Sequence, residues 1–212
     1  MQSGAAAGQS QGEPVRAGAV QKKLQARVSE LQGSDTAIPV EVWAFDEHRL
    51  GLKPILRKVW APRGCRPTAS GHHRYQWLYL YGFVRPATGE VVWFIADGVN
   101  SALFSALLAS FAAEAGAGPD KRVILVLDGA GWHVAKDLVV PEGVELMFLP
   151  PYSPQIQPAE RLWPLTNEPI VNEYFDTLEE LDEVLAQRCR ILADDPDQIK
   201  AHTLFEWWPH HN

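Results

Sequence analysis

Residues 122 to 131 read RVILVLDGAG, and from 123 to 127 the run is apolar without alternation. A strand with one buried face alternates apolar and polar side chains, whereas an unbroken run is expected of a strand covered on both faces. This segment therefore asks for layers of structure above and below a sheet. SALFSALLASFAAEAG, opened by Asn100 or Ser101 as N-cap and closed by Gly116, reads as one such helix. TLEELDEVLAQRCRILA is a second, amphipathic, with Thr177 and Glu180 in a capping-box arrangement. VEVWAFDE, ILRKVWAP and YQWLYLYGFV, then EVVWFIADG after the turn signal RPATGE, read as a run of antiparallel strands. A short helical segment over 132–138 and the strand VELMFLP complete an α/β sheet of mixed direction.

The flanks read differently. Residues 1–18, rich in Gly, Ala, Gln and Ser without periodicity, are expected to form a disordered leader. Val20, Leu24, Val28 and Leu31 recur at helical spacing, so 19–39 reads as a linker helix whose partner is sought upstream. Residues 40–195 form the main domain and 196–212 a C-terminal tail. Trp207, Trp208, His210 and His211 in that tail carry no functional reading.

With 212 residues, 46% of them hydrophobic, the chain can bury a substantial core without disulfides. Cys65 and Cys189 are solitary and belong to no zinc-binding spacing, which suits a reduced, cytoplasmic setting. No apolar run reaches the ~18 residues of a membrane helix, and no secretory signal pattern opens the chain, so no membrane partner is expected. A net charge of −7 argues against nucleic-acid binding over the whole surface. Any DNA contact has to be local. Arg63 and Arg66, with His72, His73 and Arg74, form the densest basic loop, read either as a DNA-backbone grip or as a solvated hairpin loop.

Three carboxylates mark the ends of apolar runs or a helix start: Asp46, Asp128 and Glu160. If the strands of Asp46 and Asp128 are parallel neighbours, their backbones lie ~4.8 Å apart at one sheet edge. Glu160 follows LPPYSPQIQP, whose Pro150, Pro151, Pro154 and Pro158 restrict the backbone and aim what comes next. Gln157 as cap and Pro158 as first helical residue make Glu160 the third. Three clustered acids repel one another and take up protons unless a divalent cation joins them. Hard oxygen ligands suit Mg²⁺ or Mn²⁺, and two such ions ~3.5–4 Å apart suit in-line phosphoryl displacement.

FDEHRLGLKP, LVLDGAGWH and LPPYSPQIQPAERLW, in that order, resemble the three signature blocks of the IS630/Tc1/mariner superfamily of transposases, in its IS630 branch. The likeness spans roughly residues 40 to 192. It implies a ribonuclease H-like fold, a mixed five-stranded sheet flanked by helices. It also implies a D-D-E triad matching Asp46, Asp128 and Glu160, which act as catalytic residues and as ligands of two Mg²⁺ or Mn²⁺ ions. Residues 129 to 159 separate the last two acids, a spacing in keeping with the superfamily. The implied activity is cleavage of transposon-end DNA and joining of the freed 3′-ends to target DNA, with a homodimer as one assembly.

Two departures stand out. Where many relatives read D-N-A-x-x-H, residues 128 to 133 read DGAGWH, so Gly129 replaces an amide and His133 is left as a lone helper. Only about forty residues precede Val40, so the helix-turn-helix domain usual in the family is expected to be absent or on another chain. Two rivals follow: a non-catalytic truncated remnant that binds DNA or a full-length partner, and another ribonuclease H-like nuclease.

Secondary candidates complete the reading. Alternation sends Glu47 to the face opposite Asp46, as a supporting or structural group. His133 is either an auxiliary of Asp128 or a packing histidine. Asp97 is a rival acid for the cavity, with a turn role beside Gly98 as its plainer reading. Trp77, Tyr79 and Tyr81 alternate as core aromatics.

Overall fold

The computed structural model describes residues 12–33, 38–65, 75–151 and 153–209. After a first helix, α1 (Gly12–Gln32), the chain lays down β1 (Val40–Gly51), β2 (Trp77–Arg85) and β3 (Glu90–Ala96) as an antiparallel run. Helix α2 (Ser101–Ala115) then crosses over to β4 (Arg122–Leu127), and β5 (Val144–Phe148) follows. β4 and β5 are parallel to β1 and lie on its other side, giving the order β3-β2-β1-β4-β5. Short 3₁₀ turns at Pro154–Ile156 and Pro158–Arg161 lead into α3 (Leu162–Asn167), α4 (Leu178–Ala193) and α5 (Pro196–Thr203).

Strand alternation splits the core into two layers. Trp43, Phe45, Phe83, Val123 and Leu125 pack against Phe104, Leu108 and Phe111 of α2 on one face. Val42, Ala44, Ile124 and Val126 face Leu24 of α1, Leu162, Leu185 of α4 and Ile199 of α5 on the other. Both faces of β4 are therefore covered, as its unbroken apolar run requires. Asn100 caps α2 by accepting from Leu103 N at 2.8 Å, and Gly116 closes it at φ +67°.

The flanks depart from the sequence reading. α1 begins at Gly12, so residues 12–18 are helical rather than leader, and the helix ends before 39. Its stripe of Val20, Leu24 and Val28 is buried on the sheet, not reserved for an upstream partner. Arg27 clamps it to β5 by a two-pronged bond to Glu145, at 2.7 Å from Nε and 2.7 Å from Nη2. Residues 196–208 are not a tail either. Ile199 is fully buried and Trp208 is 1% exposed, because the layer over β1 and β2 needs them to complete it. His210 and His211 lie outside the described residues.

ILRKVWAP is not a strand. Only Ile55 makes an isolated bridge, to Val171, while Leu56, Val59 and Trp60 are exposed. β2 already occupies the edge of β1 as far as Gly51, which leaves this segment no ladder to join. Residues 132–138 form turns rather than a helix.

Candidate active site

The register between β1 and β4 sets the first two acids. Ala44 stands opposite Val126, so two residues further on Asp46 and Asp128 come abreast on the same face of the sheet. Asp46 is not at a strand tip, as its place after an apolar run suggested. β1 continues to Gly51 on the β2 side, with Asp46 paired to Gly82, and only the β4 side of the ladder ends there. The chain leaves β4 at Asp128 and the sheet edge opens beside Asp46.

The proline-rich connector closes this opening from the other layer. Gln157 is the joint. Its Nε2 donates to Phe45 O at 3.0 Å, tying the connector to the residue before Asp46, and its Oε1 accepts from Ala159 N at 3.4 Å as an N-cap. Pro158 begins the 3₁₀ turn Pro158–Arg161, which runs directly into α3 and carries Glu160. Ile156, Ala159 and Leu162 are buried beneath it and fix its height above the sheet.

Asp46, Asp128 and Glu160 consequently line one cavity of about 460 Å³, together with Ser153 and Gln157. The acids influence one another. Burial, and then the charge of Glu160, hold the Asp46 carboxyl well above its ordinary range, against the lowering hydrogen bond from Trp163. Burial and the charge of Asp128 raise Glu160, with Arg161 opposing. Asp128 moves the other way, because a hydrogen bond from His133 lowers it in spite of partial burial.

His133 is 1% exposed, with Nδ1 2.8 Å from Asp128 Oδ1 and Nε2 3.3 Å from Glu47 Oε2. Burial opposes its charge, yet the two carboxylates push it up to about 9. Glu47 lies on the α2 face of β1, opposite Asp46, and its carboxylate meets this ring. A tight turn, in which Asp128 Oδ1 also accepts from Ala130 N at 3.1 Å, brings His133 back beneath Asp128. A Cβ at Gly129 would meet nothing within 4 Å.

Among the basic candidates, Arg63 is exposed in the connector between β1 and β2, while Arg66 and Arg74 lie outside the described residues. Asp97 is exposed two strands from β1 and does not line the cavity. Two residues that the sequence reading passed over matter here, with a third that it read only as a helix cap. Trp163 donates to Asp46 Oδ2 at 2.8 Å, Gly82 leaves the room that Trp163 fills, and the amide nitrogen of Gln157 holds β1. Trp163 stood inside the signature block, but its partner is 117 residues away and no spacing announces it.

Residues 41–182 match the family described as DDE superfamily endonuclease. A protein of Sinorhizobium fredii (strain NBRC 101917 / NGR234), named uncharacterized protein y4pE/y4sA, is 31% identical over 135 residues, covering 62% of this chain and 96% of that one. Among solved structures, the chain is similar to a pre-cleavage Mos1 transpososome at TM-score 0.57 and 16% identity. It is also similar to the Mos1 mariner paired end complex with Mn, at TM-score 0.53 and 18% identity. Each alignment covers 97% of this chain and 68% of the other. The mixed five-stranded sheet flanked by helices is thus the ribonuclease H-like fold. With the family matched across most of its length, the chain belongs to the DDE superfamily endonucleases.

Proposed function

We propose that this chain is the catalytic domain of a transposase of the IS630/Tc1/mariner superfamily, in its IS630 branch. It cuts DNA at transposon ends and joins the freed 3′-hydroxyls to target DNA. One observation supports this reading above others: three acids from separate sequence blocks line a single cavity. The cavity's donors are hard carboxylate oxygens, which fit Mg²⁺ or Mn²⁺ better than zinc. The fit is also one of charge. Burial and mutual repulsion disfavour ionised Asp46 and Glu160, and a divalent cation removes that penalty. Among the described residues no three such side chains already converge as a metal cluster.

Two bound ions would activate a water or 3′-hydroxyl and stabilise the leaving oxygen. Asp46 and Asp128 would hold them from the sheet, and Glu160 from the helical layer. His133 keeps Asp128 ionised and in one rotamer, and Glu47 steadies His133. Because the whole chain carries −7, the DNA is gripped locally, by Arg63, Arg66 and Arg74 in the connector after β1. A second copy of the chain pairs the two ends, and the work is done in the cytoplasm.

The test is Mg²⁺-dependent nicking of duplexes taken from the ends that flank the coding region, with wild type and Asp128→Asn side by side. Nicking by wild type alone, and only with the ion, is expected. Equal activity in both proteins would refute the assignment.

A further inference from the structure

We propose that Trp163 is a positioning residue for Asp46, coupling the segment that carries Glu160 to the strand that carries the first acid. This role rests on reading Asp46 as an ion-binding carboxylate. Trp163 stands three residues after Glu160, so the two side chains leave neighbouring helical turns on one side of the segment. Glu160 lines the cavity, while the indole of Trp163 is 6% exposed and gives its N–H to Asp46 Oδ2 at 2.8 Å.

A carboxylate has two oxygens and several rotamers. Engaging Oδ2 from the protein side restricts the rotamers open to Asp46 and so orients its carboxylate at the cavity wall. The indole is itself held. It stacks on His48, with ring centroids 5.1 Å apart and planes at 18°, and His48 Nε2 lies 3.2 Å from Asn167 Oδ1 at the end of α3. On the neighbouring strand, a Cβ at Gly82 would lie 3.2 Å from Cη2 of Trp163, so glycine there keeps the seat open. The same docking that delivers Glu160 therefore orients Asp46, and neither acid is set independently.

The experiment compares Mn²⁺ affinity, read from the electron paramagnetic resonance signal of free ion, with thermal stability in wild type, Trp163→Phe and Trp163→His. Phenylalanine preserves more of the packing but has no N–H. Histidine packs less well, yet its ring can place Nε2 where the indole Nε1 sits. Expected is a loss of affinity of about tenfold in Trp163→Phe, with Trp163→His nearer wild type although it melts lower. Trp163→Phe binding Mn²⁺ as wild type does, or affinity falling in step with stability across both variants, would overturn the role. A second measurement leaves Trp163 intact: its indole N–H proton resonance is expected to move upfield in Asp46→Ala, and an unmoved resonance overturns the hydrogen bond. Wild-type protein that binds no Mn²⁺ would instead remove the carboxylate reading, and this role with it.

Discussion

His133 Nδ1 donates to Asp128 Oδ1 at 2.8 Å while its Nε2 stands 3.3 Å from Glu47 Oε2, so one buried ring ties together carboxylates from neighbouring strands. Removing the ring leaves Glu47 largely buried and without its cation. Breaking such a pair from one side costs about 3 kcal/mol, and that loss is expected in urea unfolding of His133→Ala. Adding Glu47→Gln is expected to recover part of it, since an amide is cheaper to bury than an unpaired charge. No recovery in the double variant would show that the loss is packing alone.

The pH dependence of stability follows from the signs of the shifts. Asp46 and Glu160 are raised above 3.8 and 4.5, so their contribution is present below those values and fades as pH climbs through the raised ones. His133, at about 9 against an ordinary 6.5, contributes fully below 6.5 and loses that contribution through about 9. Asp128 is lowered, so its share of the same bond is present above 3.8 and lost in strong acid. Without divalent ions, stability is expected to be greatest in mild acid and to decline in steps toward alkaline pH. Melting scans in chelator measure this, and Asp46→Asn is expected to flatten the earlier step. A flat profile in wild type would contradict the shifts.

Two glycines near the site have opposite tolerances. A Cβ on Gly82 would stand 2.9 Å from Leu162 Cδ1, which is fully buried, and 3.1 Å from the ring of Trp93, which is partly buried against the core. Gly82→Ala is expected to cost about 1–3 kcal/mol and to loosen the Glu160 segment. Gly129→Asn meets open space, and its stability is expected to stay within about 0.5 kcal/mol of wild type. Thermal unfolding of the pair decides the matter, and a harmless Gly82→Ala would mean that the layers are packed less closely than the structure shows.

At the far end, Trp208→Ala is expected to cost about 3–5 kcal/mol, as for a fully buried large side chain. Chemical denaturation of this variant checks whether residues after 195 belong to the domain. A change within error would return them to the status of a tail.

Much of this was legible along the chain, and the parts that were not have one character. The unbroken run of β4 announced a covered strand, and Asn100, Thr177 and Gln157 announced helix starts, because a cap and the groups it satisfies lie within a turn of each other. The strand-like pattern of ILRKVWAP misled, since alternation states what could pair and not whether an edge is free. Helical spacing in α1 was visible, but not that its stripe lies on this sheet. Glu47 and His133 are named there as auxiliaries without their mutual ion pair, which joins a residue of β1 to one in the turn after β4.

By itself, then, the sequence determined element types, the face each strand residue takes and the conformational stiffness before Glu160, because these depend on local sterics and periodicity. Only the tertiary structure decided that Asp46 and Asp128 come abreast, that Trp163 reaches Asp46, and that Gly82 makes room for it. Those are distances between residues far apart in the chain. They exist only once burial of the two core layers has fixed how the helical segments sit on the sheet.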